Sequence, residues 1–269
     1  MDGPGILERL DPVHLDELDA VASLMTRRDR KYVIPVEVAT QVVERLGDGS
    51  RVLDIDGRRR FHYESVYFDT PDGASYMAAA RGRPRRFKVR TRSYLDSGRC
   101  QLEIKTRGPR GRTAKERQAY PIERRDGLDL AGRAFVGQCD LIGAQSGTLA
   151  PALTTSYARS TLLVDADGTR VTVDEDLEAW TPDGRTILLP DMVIVETKTN
   201  GRPSEADHVL WSLGHRPVKL SKYCTSLAAM RPELPSNRWT RVLHQPWCRA
   251  DPCGSRAGAR AETLLSLAG

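Results

Sequence analysis

A chain of 269 residues, 39% hydrophobic and 29% charged, is long enough for one sizeable core and too apolar for a disordered polymer. Its formal charge of +5 at pH 7 is modest, so total charge does not by itself argue for nucleic acid, and the placement of the cations has to decide what they bind. Five scattered cysteines, odd in number and without CxxC spacing, argue against a disulfide framework or a structural zinc site and fit a reducing cytoplasm.

Asp11-Pro12 reads as an N-cap and first helical position. Leu15, Leu18, Val21 and Leu24 then recur at helical spacing, which predicts a helix to about Met25, packed on the outside of the domain. A first strand follows from Arg27 to Val33. Pro35 opens a second helix with Val38, Val42 and Leu46 on one stripe, and Gly47 stops it. From there to Asp174 the signals are mostly β. Strands are predicted over 60–69, 85–94, 100–107, 113–122, 154–164 and 169–174, with turns at Thr70-Pro71-Asp72-Gly73 and Asp96-Ser97-Gly98. A helix over 128–141 interrupts them. A last strand pair, 186–189 and 192–198, precedes two short helices: one capped by Ser204 and ending near Gly214, the other spanning Ser221 to Met230. The expected organisation is an N-terminal helical extension over 1–26, one domain over 27–232, and a poorly ordered tail over 233–269. The most apolar window, 187–195, is broken by Pro190 and Asp191 and falls short of the ~20 apolar residues of a membrane span, so a soluble, cytoplasmic protein is expected.

Strand periodicity puts alternate residues on opposite faces. Lys88, Arg90 and Arg92 then lie opposite Phe87 and Val89, and Glu103 and Lys105 lie opposite Leu102 and Ile104. Lys115 and Arg117 share a face, as do Tyr157 and Arg159; Arg170, Thr172 and Asp174 lie opposite Val171 and Val173; Glu196 and Lys198 lie opposite Val193 and Val195. For a single strand the plain reading is a charged face in water. Its recurrence on six strands favours an α+β fold in which helices cover the outside of a closed antiparallel β-barrel of about eight strands, with the cations lining its interior. Facing cations repel by about 1 kcal/mol per pair at 4 Å in water, and by about four times that at an effective dielectric of 20. Such a lumen calls for anions, and a linear polyanion with a divalent metal suits it. No GxxxxGK loop is present, so side chains would hold the phosphates.

Arg-Lys-Tyr at 30–32, Ser-Val-Tyr-Phe-Asp-Thr-Pro at 65–71, Lys-Val-Arg-Thr-Arg-Ser-Tyr at 88–94 and Leu-Glu-Ile-Lys at 102–105 together resemble the VTC domain. So do Ser-Tyr-Ala-Arg at 156–159, Arg-Val-Thr-Val-Asp at 170–174, Val-Glu-Thr-Lys at 195–198 and Leu-Ser-Lys-Tyr at 220–223. This is the polyphosphate polymerase domain of the vacuolar transporter chaperone complex, within the CYTH-like triphosphate tunnel superfamily. The resemblance implies a tunnel that binds ATP or another triphosphate and moves its γ-phosphate onto a polyphosphate chain. It also implies that Lys31, Arg90, Arg92, Lys105, Arg159, Arg170, Lys219, Ser221 and Lys222 contact phosphates, with Tyr157 as a hydroxyl donor. Lys88, Lys115, Arg117 and Lys198 join them as further ladder cations. Glu196 resembles the family's ligand for Mn²⁺ or Mg²⁺, with Glu103 and Asp174 as helpers. Gln101-x-Glu103-x-Lys105 keeps only one of the two glutamates of the triphosphatase signature. A triphosphatase or polyphosphatase of the same fold and a non-catalytic polyphosphate or inositol-polyphosphate binder are the alternatives. A nucleic-acid binder ranks last, since aromatics for stacking make up only 6%. His62, His208 and His215 read as structural or surface residues, Asp69 as a turn residue, and Arg58 to Arg60 as a solvated strand entry.

Overall fold

The longest strand, Ala150–Val164 (β8), is the middle of the sheet, and the rest of the chain is laid down on either side of it. The computed structural model describes residues 5–23, 28–108, 113–244 and 248–250. The principal path of antiparallel strands begins with Arg28–Pro35 (β2) and Met192–Thr199 (β11), then Thr169–Trp180 (β9) and β8. It continues through Phe61–Asp69 (β4), Arg86–Tyr94 (β5), Arg99–Arg107 (β6) and Thr113–Ala119 (β7). Short strands extend it: Thr186–Leu188 (β10) on β9, Cys248–Ala250 (β12) on β10, Ser50–Leu53 (β3) on β8, and Asp11–Val13 (β1), which pairs β3 in parallel.

The architecture is α+β, with helices against an antiparallel sheet, but the sheet is not closed into a barrel. Among the described residues no pairing joins β2 to β7. The free edge of β2 instead receives the Val218 amide, which donates to the Lys31 carbonyl at 2.7 Å. Desolvation, and then the charge of Lys31 on β2, lowers the pKa of Lys105 on β6.

Apolar residues of the outer face are buried under helices, as their alternation predicts. Val36–Leu46 (α2) and Glu205–Ser212 (α5) cover Ile34, Val171, Val193 and Val195. Leu130–Gly137 (α4) lies over Val66, Val89, Leu102 and Ile104. Two further helices sit on the other face. Lys222–Met230 (α6) packs its Tyr223 and Leu227 onto Tyr67 and Leu153. Leu15–Ser23 (α1) packs Leu18 against Leu53 and Leu163. That corrects the expectation for α1: it lies over the charged face rather than outside it, and a Cβ on Gly168 would come within 3.0 Å of Val21. Asp11-Pro12 begins a strand rather than a helix, because proline is tolerated in a short edge strand such as β1. Part of the expected tail is also built in: Trp239 and Val242, the latter in Thr240–Leu243 (α7), are buried. A helix at Ala74–Ala80 (α3) follows the Thr70–Gly73 turn.

Candidate functional site

Cross-strand register decides which side chains share the inner face. Tyr67 pairs Arg90, which pairs Glu103, which pairs Arg117. In the adjacent row Lys88 pairs Lys105 and Lys105 pairs Lys115. On the other side Arg159 pairs Asp174, Arg170 pairs Lys198, and Glu196 pairs Lys31. Directly opposed residues in a sheet point to the same face, so every predicted strand cation lies on one side of the sheet. Ser221 and Lys222 reach that side from the N-terminal end of α6, where the Ser221 hydroxyl caps the helix by accepting from the Cys224 amide.

The face is organised as three ion-pair sets. Asp174, 1% exposed, accepts from Arg159 Nη2 at 2.8 Å and also pairs with Lys222. Glu103, 3% exposed, is held between Arg90 Nη2 and Lys115 Nζ, each at 2.6 Å. Glu196 meets Lys31 Nζ at 3.2 Å and Lys198 Nζ at 3.9 Å. Burial alone would raise all three carboxyl pKa values, and the adjoining cations reverse this and hold them well below the usual range. Glu196 in turn raises the pKa of Lys31. The predicted metal ligands are therefore not gathered at one point, and among the described residues no three His, Cys, Asp or Glu side chains form a cluster. Among the described residues there is no stand-alone cage for Mn²⁺ or Mg²⁺. The donor set fits a hard cation that takes one carboxylate from the protein and its remaining oxygens from phosphate and water.

Among the described residues Lys88 and Arg92 form no ion pair with a carboxylate, whereas Lys198 and Arg170 are only loosely paired, with Glu196 and Asp19. Lys88 donates to Ser221 Oγ at 2.9 Å, and burial lowers its pKa. Arg92 lies over the Tyr63 ring at 5.8 Å. Lys198 is lowered to about 7, because burial and the neighbouring Arg170 and Arg159 outweigh Glu196. Arg170 meets Asp19 of α1 at 3.6 Å. Lys105, Lys115 and Arg117 share the register but stand at the open edge and are exposed, as is Lys219 on the segment beside β2.

Sequence reasoning missed the aromatic lining. Tyr63 and Tyr157 stack at 5.4 Å with an interplanar angle of 3°, Arg159 lies 5.3 Å over Tyr63, and Lys222 lies 4.3 Å over Tyr157. Burial would raise the Tyr67 pKa, but Arg90, Lys88, Arg92 and Lys222 together bring it down to about 8. The period-two rule puts Tyr157 on the face of Arg159, but Tyr63 and Tyr67 join it only through the β4 register, and their stacking needed coordinates. Among the described residues the buried oxygens of Ser65, Thr155, Tyr157 and Thr172, and Arg92 Nε, have no hydrogen-bond partner. Each leaves a buried polar group unpaired, at a cost of about 1–3 kcal/mol unless a ligand or water satisfies it.

Several residues have structural roles. Asp69 is buried and accepts from the Thr70, Ser75 and Tyr76 amides and the Tyr223 hydroxyl, consistent with its reading as a turn residue. His62 meets Asp96, and Arg58 to Arg60 are ion-paired with Asp96, Asp54 and Glu175 instead of merely solvated.

The profile of the VTC domain matches residues 26–231 of this chain. The chain belongs to the VTC domain family. No curated protein matches it. Among solved structures, an adenylyl cyclase-named protein from Hippeastrum, HpAC1, described as having a dominant triphosphatase activity, is 14% identical, with a TM-score of 0.48 over 81% of this chain and 99% of that one. PH1819 from Pyrococcus horikoshii OT3 is also 14% identical, with a TM-score of 0.44 over 77% of this chain and 98% of that one. A protein from Vibrio parahaemolyticus named for adenylate cyclase is 11% identical, with a TM-score of 0.39 over 71% and 87%. Within this VTC domain, no helix among the described residues is long and apolar enough to cross a membrane.

Proposed function

We propose that the inner face of this VTC domain is the wall of a tunnel that binds the phosphates of ATP and transfers the γ-phosphate to the end of a polyphosphate chain. The observation that carries this reading is the set of buried, unpartnered oxygens of Ser65, Thr155, Tyr157 and Thr172, with Arg92 Nε, on a face already crowded with cations. Hydroxyl and guanidinium donors left unpaired beside lysines that lack acids are suited to anionic oxygens.

Binding would work by exchange of counter-charge. Arg159, Lys222, Arg90 and Lys31 are neutralised by Asp174, Glu103 and Glu196, and incoming phosphate oxygens add to or replace those carboxylates. Lys88 and Ser221 together offer a donor pair at the start of α6, and Tyr157 offers its hydroxyl beside Lys222. The chain supplies alignment and charge neutralisation more than covalent chemistry. The bond from the γ-phosphorus to the β–γ bridging oxygen breaks, leaving that oxygen with its electron pair on ADP. A terminal oxygen of the acceptor chain forms the new bond to the γ-phosphorus. A divalent cation arriving with the phosphates, with Glu196 as its protein oxygen, would neutralise charge on the transferring group.

Incubation of the purified protein with ATP and Mn²⁺ or Mg²⁺, followed by phosphorus NMR, is the test. Growth of internal polyphosphate resonances is expected, and Glu196→Gln should remove turnover while leaving tripolyphosphate binding. Free phosphate without chain growth would identify water as the acceptor and a hydrolase instead. Unchanged ATP would leave a binding module, a reading favoured by the occupation of all three inner carboxylates by lysine or arginine partners.

A further inference from the structure

The cation line on β5 does not stop at Lys88. Arg86 is the next residue on the same face, directly opposite Arg107 of β6, which follows Lys105 in the same way. From Arg92 to Arg86 the strand advances by six residues, roughly 20 Å at about 3.3 Å per residue. That is longer than a triphosphate. Arg86 and Arg107 are register partners, and the pKa of Arg86 is lowered by burial and then by Arg107 and Arg238. Arg238 is brought there by the end of the chain: Trp239 anchors the segment among Tyr76 and its neighbours, and the Arg238 guanidinium lies against Gly82. Among the described residues none of Arg86, Arg107 or Arg238 forms an ion pair with a carboxylate, unlike Arg90, Arg159 and Lys31 deeper in the face. Arg83 adds an exposed cation alongside, its carbonyl accepting from Arg86 Nη1 at 2.8 Å.

We infer that Arg86, Arg107 and Arg238 form an outer track that continues the inner ladder and binds the distal part of a long, linear polyanion whose end lies on the inner face. Gathering three guanidiniums without an internal acid is unfavourable in the empty protein and is relieved by an anion spanning them. Mutual repulsion of this kind is absent where Asp174 and Glu103 sit between their cations. The track rests on the phosphate-binding reading of the inner face, and it makes chain length the property the protein discriminates.

The test compares binding of tripolyphosphate and of size-fractionated long-chain polyphosphate by the wild type and by the triple variant R86Q/R107Q/R238Q, with melting temperature as a check on folding. The wild type is expected to bind the long chain more tightly. The variant is expected to lose about tenfold or more of that affinity and to keep its affinity for tripolyphosphate within about twofold. The salt dependence of long-chain binding should also become shallower, as cation–phosphate contacts are lost. Equal affinities of wild type and variant for the long chain would overturn the track. So would an equal loss for both ligands, which would place the three arginines within the triphosphate site. A single-stranded oligonucleotide bound as tightly as polyphosphate, and weakened as much by the variant, would overturn the assignment to a bare phosphate chain. If the wild type fails to bind tripolyphosphate, the reading of the inner face falls and the track as a continuation of it falls too; intact tripolyphosphate binding with equal long-chain affinities overturns the track alone.

Discussion

Asp174→Asn separates the two roles open to the carboxylate at the centre of the face. Asp174 is buried to 1% exposure between Arg159 and Lys222, themselves 11% and 12% exposed. Removing one member of a buried charge set while leaving the others costs about 3–5 kcal/mol, because two desolvated cations lose their counter-charge. At about 2–4 °C per kcal/mol for a domain of this size, the melting temperature of the ligand-free variant should fall by roughly 10 °C. Tripolyphosphate should then restore it. In the wild type, ligand at a hundred times its dissociation constant adds about 2.7 kcal/mol. In the variant, phosphate oxygens take over the vacated position, so affinity should rise about tenfold, a further ~1.4 kcal/mol of coupling. Scanning calorimetry and titration calorimetry in chelator-containing buffer measure both quantities. Two results would refute the counter-charge account: a ligand-free variant melting within about 2 °C of the wild type, or tripolyphosphate binding weaker than wild type without metal.

Tyr67 should report on the site through pH. Its folded pKa of about 8 lies below the ordinary 10, so ionised Tyr67 contributes stability that is complete above pH 10 and lost as pH falls from 10 towards 8. An ultraviolet tyrosinate titration should show one early transition near pH 8, missing in Tyr67→Phe; added tripolyphosphate should shift it upward, and an unmoved transition would place the phosphates elsewhere. Asp69→Ala should destabilise by about 2–4 kcal/mol, since three amides and the Tyr223 hydroxyl lose a buried acceptor. Urea unfolding measures this, and a loss below about 1 kcal/mol would mean that water replaces the carboxylate.

Much of the inner face was legible because side chains alternate along an unbulged run of strand. Lys88, Arg90 and Arg92 needed only the rule of two, and the Ser221 cap needed only a hydroxyl ahead of a helical pattern. Barrel closure was not legible, because it depends on whether β2 and β7 meet, and each looks like an ordinary strand in isolation. The segment before α6 occupies the β2 edge, a long-range event with no local mark. The position of α1 was misjudged for a related reason: Leu18 and Val21 give a helix an apolar stripe but do not say which sheet face receives it. The separation of Glu103, Asp174 and Glu196 was equally hidden, since each acid's nearest cations come from other strands or from α6.

Within this domain β2 is synthesised early, yet its sheet partner β11 follows only near the domain's end. Until then the cluster of Tyr32 and Ile34 lacks Val193, Val195 and Leu210, Tyr32 lacks Asp207, and Lys31 lacks Glu196. Loop closure over that distance is slow relative to local hairpins such as β5–β6. The nascent chain therefore carries an adhesive, positively charged segment while most of this domain is made. Its yield in a cell should depend on what shields that segment during synthesis more than on the stability of the finished fold.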